Sequence, residues 1–586
     1  MPRPKGRRML EKLNKARNVM LSGKLRGNSS RSRPSLDPAS EGQRGASRSK
    51  LDRLSINTDV PSAIDLDLQE TEQLWTIANT NQLTDLMSDA LCPNCFQSSL
   101  TIRVIKDENM GFASKLKLCC SSFGYTKSKF SSPRIHKSNC SNVAFEINTK
   151  MVLYSHEIGK GFTSLQTFSS VLGISGISQR AFKDHDNKIT DCEVKSGEDM
   201  LYRTANAIRQ AYAETDDDIR EAIERGENPL IDISVSYDGT WQKRGFTSLY
   251  GVGVCIDLLT GLVVDFDIRC HACHIQKAES MNATDLAVWK EQHDCCTNHH
   301  KSSKSMEQDS AVILWNRSVA KYNFRYAEML SDGDSSAFKA VLESKPYADK
   351  AVTKLDCINH AHKRMGTALR KLAKESHLGG RGVGRLTEKK CDSLQNFYRG
   401  AIIDNIPDVS KMRNAVWAGL YHSMSTDTEH HHQQCPLGEN SWCWYQQAVS
   451  LGQDPDSHSN HKASTFLSLE VAHKLIPIYR RMSDESLLQR MAHGGTQNNN
   501  ESLNAMIWAR YPKTSFMGLG RVKGSVARAV SIFNAGANEL INVMNKMHID
   551  VSYVTLNNFK KVNDKELFSL TLLAKRIIEK EERLFL

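Results

Sequence analysis

The sequence contains no apolar run of the roughly 18 residues that a membrane-crossing helix needs, and no signal-peptide core near its N-terminus. An intracellular chain with no membrane partner is therefore expected. An even, secretory-type set of cysteines is also missing. Fifteen cysteines in 586 residues, many of them in pairs or beside histidines, argue against a disulfide framework and for metal binding. Apolar residues are scarce in the first part of the chain, where Arg3, Lys5, Arg7, Arg8, Lys12, Lys15 and Arg17 stand among serines, prolines and glycines. Such a segment cannot bury enough surface to offset its chain entropy, so residues 1–75 read as a disordered basic arm. The chain as a whole lacks nothing that a globular protein requires: 40% hydrophobic and 24% charged residues over 586 can bury a sizeable core in several domains. The net charge of +11 favours a polyanionic partner.

Residues 76–150 carry Cys92-Pro-Asn-Cys95, a short strand at Ile102-Arg-Val-Ile, and Lys115-Leu-Lys-Leu-Cys119-Cys120. Two strands joined through a Cys-x-x-Cys knuckle suit a small zinc-ribbon-like, DNA-binding module with Cys92, Cys95, Cys119 and Cys120 as ligands. A second Cys-x-x-Cys is absent, because Phe123 stands where the fourth sulfur belongs; His136 or Cys140 could complete the set, the alternative being a degenerate site without metal. Residues 151–228 read as a helical linker domain in which Ala205, Ile208, Ala211 and Tyr212 form one apolar face.

In residues 229–345, Ile231, Ile233, Val235 and Tyr237 alternate with Asp232, Ser234, Ser236 and Asp238, the period of a strand, and Gly239 is expected to end it. Asp238 then stands at a strand terminus, where a carboxylate is rigidly held with room for a substrate, although any isolated Asp-Gly also suits a simple turn. Leu249 to Asp257 and Leu262 to Ile268 read as two further strands, Ser305 to Lys321 as a helix, and Phe324 to Leu330 as a strand running into Ser331-Asp332-Gly-Asp334. Three strands, a helix and a strand is the order of an RNase H-like α/β core with a mixed sheet. Between the third strand and the helix, Cys270, Cys273, His293 and Cys296 offer a tetrahedral zinc set with no open position, in which Cys295 or His271 could replace a member.

Residues 346–490 read as a helical zinc-binding insertion. Cys357 and His360 lie one helical turn apart, and His432 with Cys435 would close the site, with Cys443 and His431 as substitutes. Gly379-Gly-Arg-Gly-Val-Gly384 lacks the preceding strand of a phosphate loop and reads as a linker. In residues 491–586, a loop enters a helix at Asn500 with Glu501 in its first turn, where the helix dipole alone favours an acid, and a C-terminal helical region follows. Asp238, Asp332 and Glu501, with Asp334 competing for the second place, offer the hard oxygens that hold a Mg²⁺ (or Mn²⁺) pair about 3.5–4 Å apart for phosphoryl transfer.

The segments Ser236-Tyr-Asp238-Gly-Thr-Trp241, Ser331-Asp332-Gly-Asp334-Ser335, Cys357-Ile-Asn-His360 and Asn499-Asn-Glu501-Ser-Leu-Asn504 resemble those of the Mutator-like DDE transposases. The resemblance implies a catalytic triad of Asp238, Asp332 and Glu501, metal-dependent cleavage of double-stranded DNA at terminal inverted repeats, and strand transfer into target DNA. It also implies a nuclear protein that acts as a homo-oligomer on DNA. A domesticated, non-catalytic zinc-dependent DNA-binding protein is the alternative.

Overall fold

The computed structural model describes residues 75–135, 144–243, 247–271, 296–332, 336–461, 466–513 and 518–565, with a few positions between 282 and 288. The arm over 1–75, apart from its last residue, lies outside the described residues, as do His136, Cys140, Cys273, His293 and Asp334.

After a short helix α1 (Thr80–Leu86), strands β1 (Leu100–Val104), β2 (Lys115–Cys120) and β3 (Thr126–Phe130) form an antiparallel sheet in which Leu100 pairs with Cys120. Its small core is Cys92, Leu100 and Cys120. Helices α2 (Glu146–Glu157), α3 (Phe162–Leu172) and α4 (Gln179–Ala213) follow. Helix α4 starts at Ser178, whose hydroxyl accepts from the Ala181 N–H and satisfies one of the free donors of the first turn.

A five-stranded mixed sheet comes next: β4 (Ile231–Trp241), β5 (Tyr250–Asp257), β6 (Val263–Cys270), β7 (Phe324–Ser331) and β8 (Thr353–Asp356), in the spatial order β6-β5-β4-β7-β8. Strands β4, β5 and β6 form an antiparallel meander, while β7 and β8 run parallel to β4. Helix α5 (Met306–Tyr322) lies between β6 and β7 in the chain. Two sequence expectations need correction. Gly239 does not end β4, which continues to Trp241 because Gly239 pairs with Gly253 and the ladder holds through Trp241 and Gly251. The segment after 346 also begins with the edge strand β8, four residues too short to show a period of its own, before the helical region starts.

Helices α6 (Ile358–Glu375), α7 (Glu388–Ile403), α8 (Val409–His422) and α9 (Leu469–Met482) share a second apolar core that includes Ile358, Met365, Leu394, Met412, Val416 and Leu475. The chain then returns to the sheet with α10 (Asn498–Arg510), α11 (Leu519–Ala535) and α12 (Glu539–Lys546).

The sheet is covered on both faces. Ile231, Ile233, Val235 and Tyr237, each about 1% exposed or less, project from β4 toward α5, where the Tyr237 and Trp315 rings meet edge to face at 5.7 Å. Burial of each such side chain stabilises by roughly 1.5–3 kcal/mol. The close fit of α5 depends on missing side chains: a Cβ on Gly253 would lie 2.2 Å from Ser310 Oγ and 2.7 Å from the Tyr237 hydroxyl. Gly253→Val is therefore expected to destabilise the protein by at least about 1–3 kcal/mol, the usual cost of overpacking a core. A lower urea midpoint at unchanged slope would show it; an unchanged midpoint would mean that α5 can retreat freely.

Candidate active site and metal centres

Asp238 lies three residues before the end of β4, on the face opposite Tyr237. In the parallel pair β4/β7, Ser236 is opposite Leu330. That is the last pair of the ladder; Asp238 lies two residues beyond it on β4, and Asp332 is the first residue after β7. Several other sheet acids are answered by bases, whereas Asp257 is held by Thr260 and Tyr212 and Glu328 by the Ser234 hydroxyl. Asp232 meets Arg325 at 2.6 Å, Asp265 meets Arg317 at 2.7 Å, and Asp356 meets Arg490 at 2.7 Å. Asp238 instead accepts a hydrogen bond from the neutral amide of Asn504 at 2.7 Å.

Asn504 belongs to α10, which lies along the polar face of β4. The Ser236 hydroxyl donates to Asn500 Oδ1 (2.5 Å), Asn504 Nδ2 donates to Asp238, and Trp508 Nε1 donates to Thr240 Oγ1 (2.8 Å). Glu501 sits one turn before Asn504 on the same helix and has an exposed carboxylate 3.5 Å from Lys363 Nζ. Lys363 in turn follows His360 by one turn of α6, and His360 Nδ1 lies 2.7 Å from Asp332 Oδ1. Asn359 and Asn498 tie the starts of the two helices together by a 2.9 Å hydrogen bond. Three contacts thus bind the acids to α6 and α10: Asn504 to Asp238, Lys363 to Glu501, and His360 to Asp332.

The electrostatics follow from the shortage of positive charge at Asp238. Burial, and then the charge of Asp332, push the Asp238 carboxyl up to about 7. Burial and these two acids likewise push Glu307 on α5 up to about 7. Asp332 is held below the ordinary range by the His360 contact, and His360 is pushed up to about 10 by Asp332 and then by Cys357. The carboxylates of Asp238, Asp332 and Glu501 offer hard oxygens, but among the described residues they do not converge to a shared metal-ligand distance as the cysteine and histidine clusters do. Glu307 escapes sequence reasoning because an acid at the start of a helix looks like a dipole partner. Its signal is Gly239, where a Cβ would lie 2.5 Å from Glu307 Cγ.

Two cysteine-bearing clusters stand apart from the acids. Cys92, Cys95 and Cys120 converge, with 3.7 Å between the last two sulfurs; the Phe123 N–H donates to Cys120 Sγ at 3.3 Å while its ring is exposed. Cys119 does not join them, because successive side chains of β2 point to opposite faces and its thiol turns toward the Lys117 carbonyl. In the helical region, His432 and Cys435 meet His422 and Cys443, all four buried. The expected grouping of Cys357 and His360 with His432 and Cys435 does not form, since Cys357 caps the start of α6 and His360 faces Asp332. His422 was missed in the sequence because it looks like one more residue of α8. Of the expected set Cys270, Cys273, His293 and Cys296, only the buried Cys270 and half-buried Cys296 are described.

The raised Asp238 carboxyl has a consequence for stability. A group that binds its proton more tightly when folded contributes stability that is complete below its unfolded value and is lost as pH rises through the folded one. For Asp238 that window runs from 3.8 to about 7. Asp238→Asn is expected to be more stable than wild type at about pH 8 in metal-free buffer, with the advantage gone near pH 4. Urea midpoints across the range check this; a gap that does not change with pH would contradict the burial-driven shift.

No curated protein and no solved structure matches this chain. The family model for the Mutator-like transposase matches residues 72–443, a stretch that holds Asp238, Asp332 and the Cys357-to-His360 turn and stops short of Glu501. Because that match spans well over half of the 586 residues, the chain belongs to the Mutator-like transposase family.

Proposed function

We propose that the protein is a metal-dependent DNA transposase with Asp238, Asp332 and Glu501 as its catalytic carboxylates. The observation that carries this reading is that each of the three acids is held by a residue of the two facing helices α6 and α10: Asp238 by Asn504, Glu501 by Lys363, and Asp332 by His360. The sheet order β6-β5-β4-β7-β8, with a three-stranded meander beside two parallel strands, supports an RNase H-like core. Asp332 is preferred as the second acid because it directly follows strand β7, whose neighbour β4 carries Asp238.

Bound divalent cations would supply activation of the attacking hydroxyl and relief of charge on the scissile phosphate. The chain's own residues do the positioning. Asn504 fixes one oxygen of Asp238, and the rigid pairing of α10 with β4 fixes where Glu501 emerges. His360 neutralises Asp332, the carboxylate that would help to hold a cation. Lys363 and Arg364, which lie on the acid side of α6, offer positive charge to a DNA backbone drawn to an otherwise acidic site. The cysteine-bearing ribbon is assigned to recognition of element ends, the site of action to the nucleus, and the working unit to a homo-oligomer bridging two ends of double-stranded DNA.

The test is Mg²⁺- or Mn²⁺-dependent nicking and joining of DNA carrying the source element's terminal repeats. Alanine at Asp238, Asp332 or Glu501 should each lower the rate more than about 10²-fold, the scale of several kcal/mol of lost charge stabilisation. Equal activity in wild type and Asp238→Ala would refute the assignment. DNA binding without cleavage in the wild type would point to a domesticated binding protein.

A further inference from the structure

Between α8 and α9, the described residues 423–461 and 466–468 include the short helices Trp444–Ser450 and His458–His461 and draw together at one buried point. There Nδ1 of His422, at the last turn of α8, lies 3.2 Å from Nδ1 of His432. The Cys435 sulfur is 3.7 and 3.8 Å from these two nitrogens, and the Cys443 sulfur is 3.5 and 3.4 Å from them. All four residues are at most 6% exposed.

These separations are five of the six edges of a tetrahedron. With metal–sulfur bonds of about 2.3 Å and metal–nitrogen bonds of about 2.0–2.1 Å, tetrahedral geometry requires N···N near 3.3 Å and S···N near 3.5 Å. Without a cation, two imidazole nitrogens and two thiols would face one another inside a protein with little to bind them. The outer contacts point the same way. His432 Nε2 is 2.9 Å from His458 Nε2, and His458 Nδ1 is 3.1 Å from Asp427 Oδ1. One proton arrangement satisfies the whole chain: His432 offers a bare Nδ1 inward and donates from Nε2 to His458, which donates from Nδ1 to the carboxylate. A carboxylate orienting a ligand histidine through its far nitrogen is a recurrent outer layer of zinc sites.

We propose that His422, His432, Cys435 and Cys443 bind one structural Zn²⁺ that fastens the 423–468 excursion to the end of α8. Two nitrogens and two thiolates in tetrahedral array select zinc, and four protein ligands leave no position for water, so the ion has no part in the DNA chemistry. The set draws on three of the candidate ligands visible in the sequence and on His422, which sequence spacing did not offer. It excludes Cys357 and His360.

The test measures zinc per chain in the purified full-length protein by elemental analysis. His422→Gln and Cys443→Ser should each lose about one equivalent relative to wild type, while Cys357→Ser should lose none. Loss from Cys357→Ser, or unchanged content in both His422→Gln and Cys443→Ser, overturns the proposal. If those two variants fail to fold, Cys443→His, which keeps four ligands, serves instead. Loaded with Co²⁺ in a Cys92→Ser/Cys95→Ser background, it should keep the visible bands of tetrahedral cobalt but lose part of the thiolate charge-transfer intensity. An unaltered spectrum overturns the assignment of Cys443. These readouts do not depend on DNA cleavage, so they stand or fall apart from the proposed catalytic role.

Discussion

The candidate active site depends on the fit between α10 and β4. A helix advances about 6 Å in four residues and a strand about 6.6 Å in two, so polar side chains at every fourth helix position can meet those at every second strand position. Asn500, Asn504 and Trp508 meet Ser236, Asp238 and Thr240 in that sequence. Three hydrogen bonds of about 1 kcal/mol each do not make this the strongest packing in the molecule. They make it the most specific, since a slip by one residue would leave Ser236 and Asn500, each about 1% exposed, without their partners. The position of Glu501 relative to Asp238 follows from that registration.

The other end of α10 is anchored by charge. Arg510 on α10 and Arg528 on α11 both reach Glu157 on α2, at 3.2 and 2.7 Å. Nearby, His156 lies between Glu193 and Asp186 of α4, and Arg521 of α11 binds Asp186 at 2.7 Å. Burying such groups is costly, and ion pairs of this kind contribute more to a single arrangement than to net stability. Here the arrangement ties helices early in the chain to the pair that closes the sheet, so segments more than 300 residues apart set one orientation of α10.

Histidine and cysteine divide between two chemistries that their spacing does not distinguish. His360, three residues after Cys357, carries the positive charge beside Asp332, whereas His432, three residues before Cys435, belongs to the soft cluster with His422 and Cys443. The determinant is where each short motif lies. Cys357 and His360 start a helix immediately after the edge strand of an acidic sheet, while His432 and Cys435 lie on a loop folded over the end of another helix.

The strands at 231, 250, 263 and 324 and the helix at 306 were legible because alternation and helical periodicity record which faces are buried, and buried faces are what a sequence of this composition must specify. The motifs around Asp238 and Asp332 were legible as well, as was their order along the chain. The extent of β4 past Gly239 was not, because whether a glycine ends a strand or admits a neighbouring helix depends on what packs against it. Nor were Glu307, the capture of Asp332 by His360, the exclusion of Cys119, or the recruitment of His422. Each of these is a contact between elements far apart in the chain, decided by the direction of a side chain after the elements have docked. The amino-acid sequence by itself determined the elements and the acids they carry; only the tertiary structure decided which histidine answers which acid or thiol, because that choice is made by distances that local patterning does not encode.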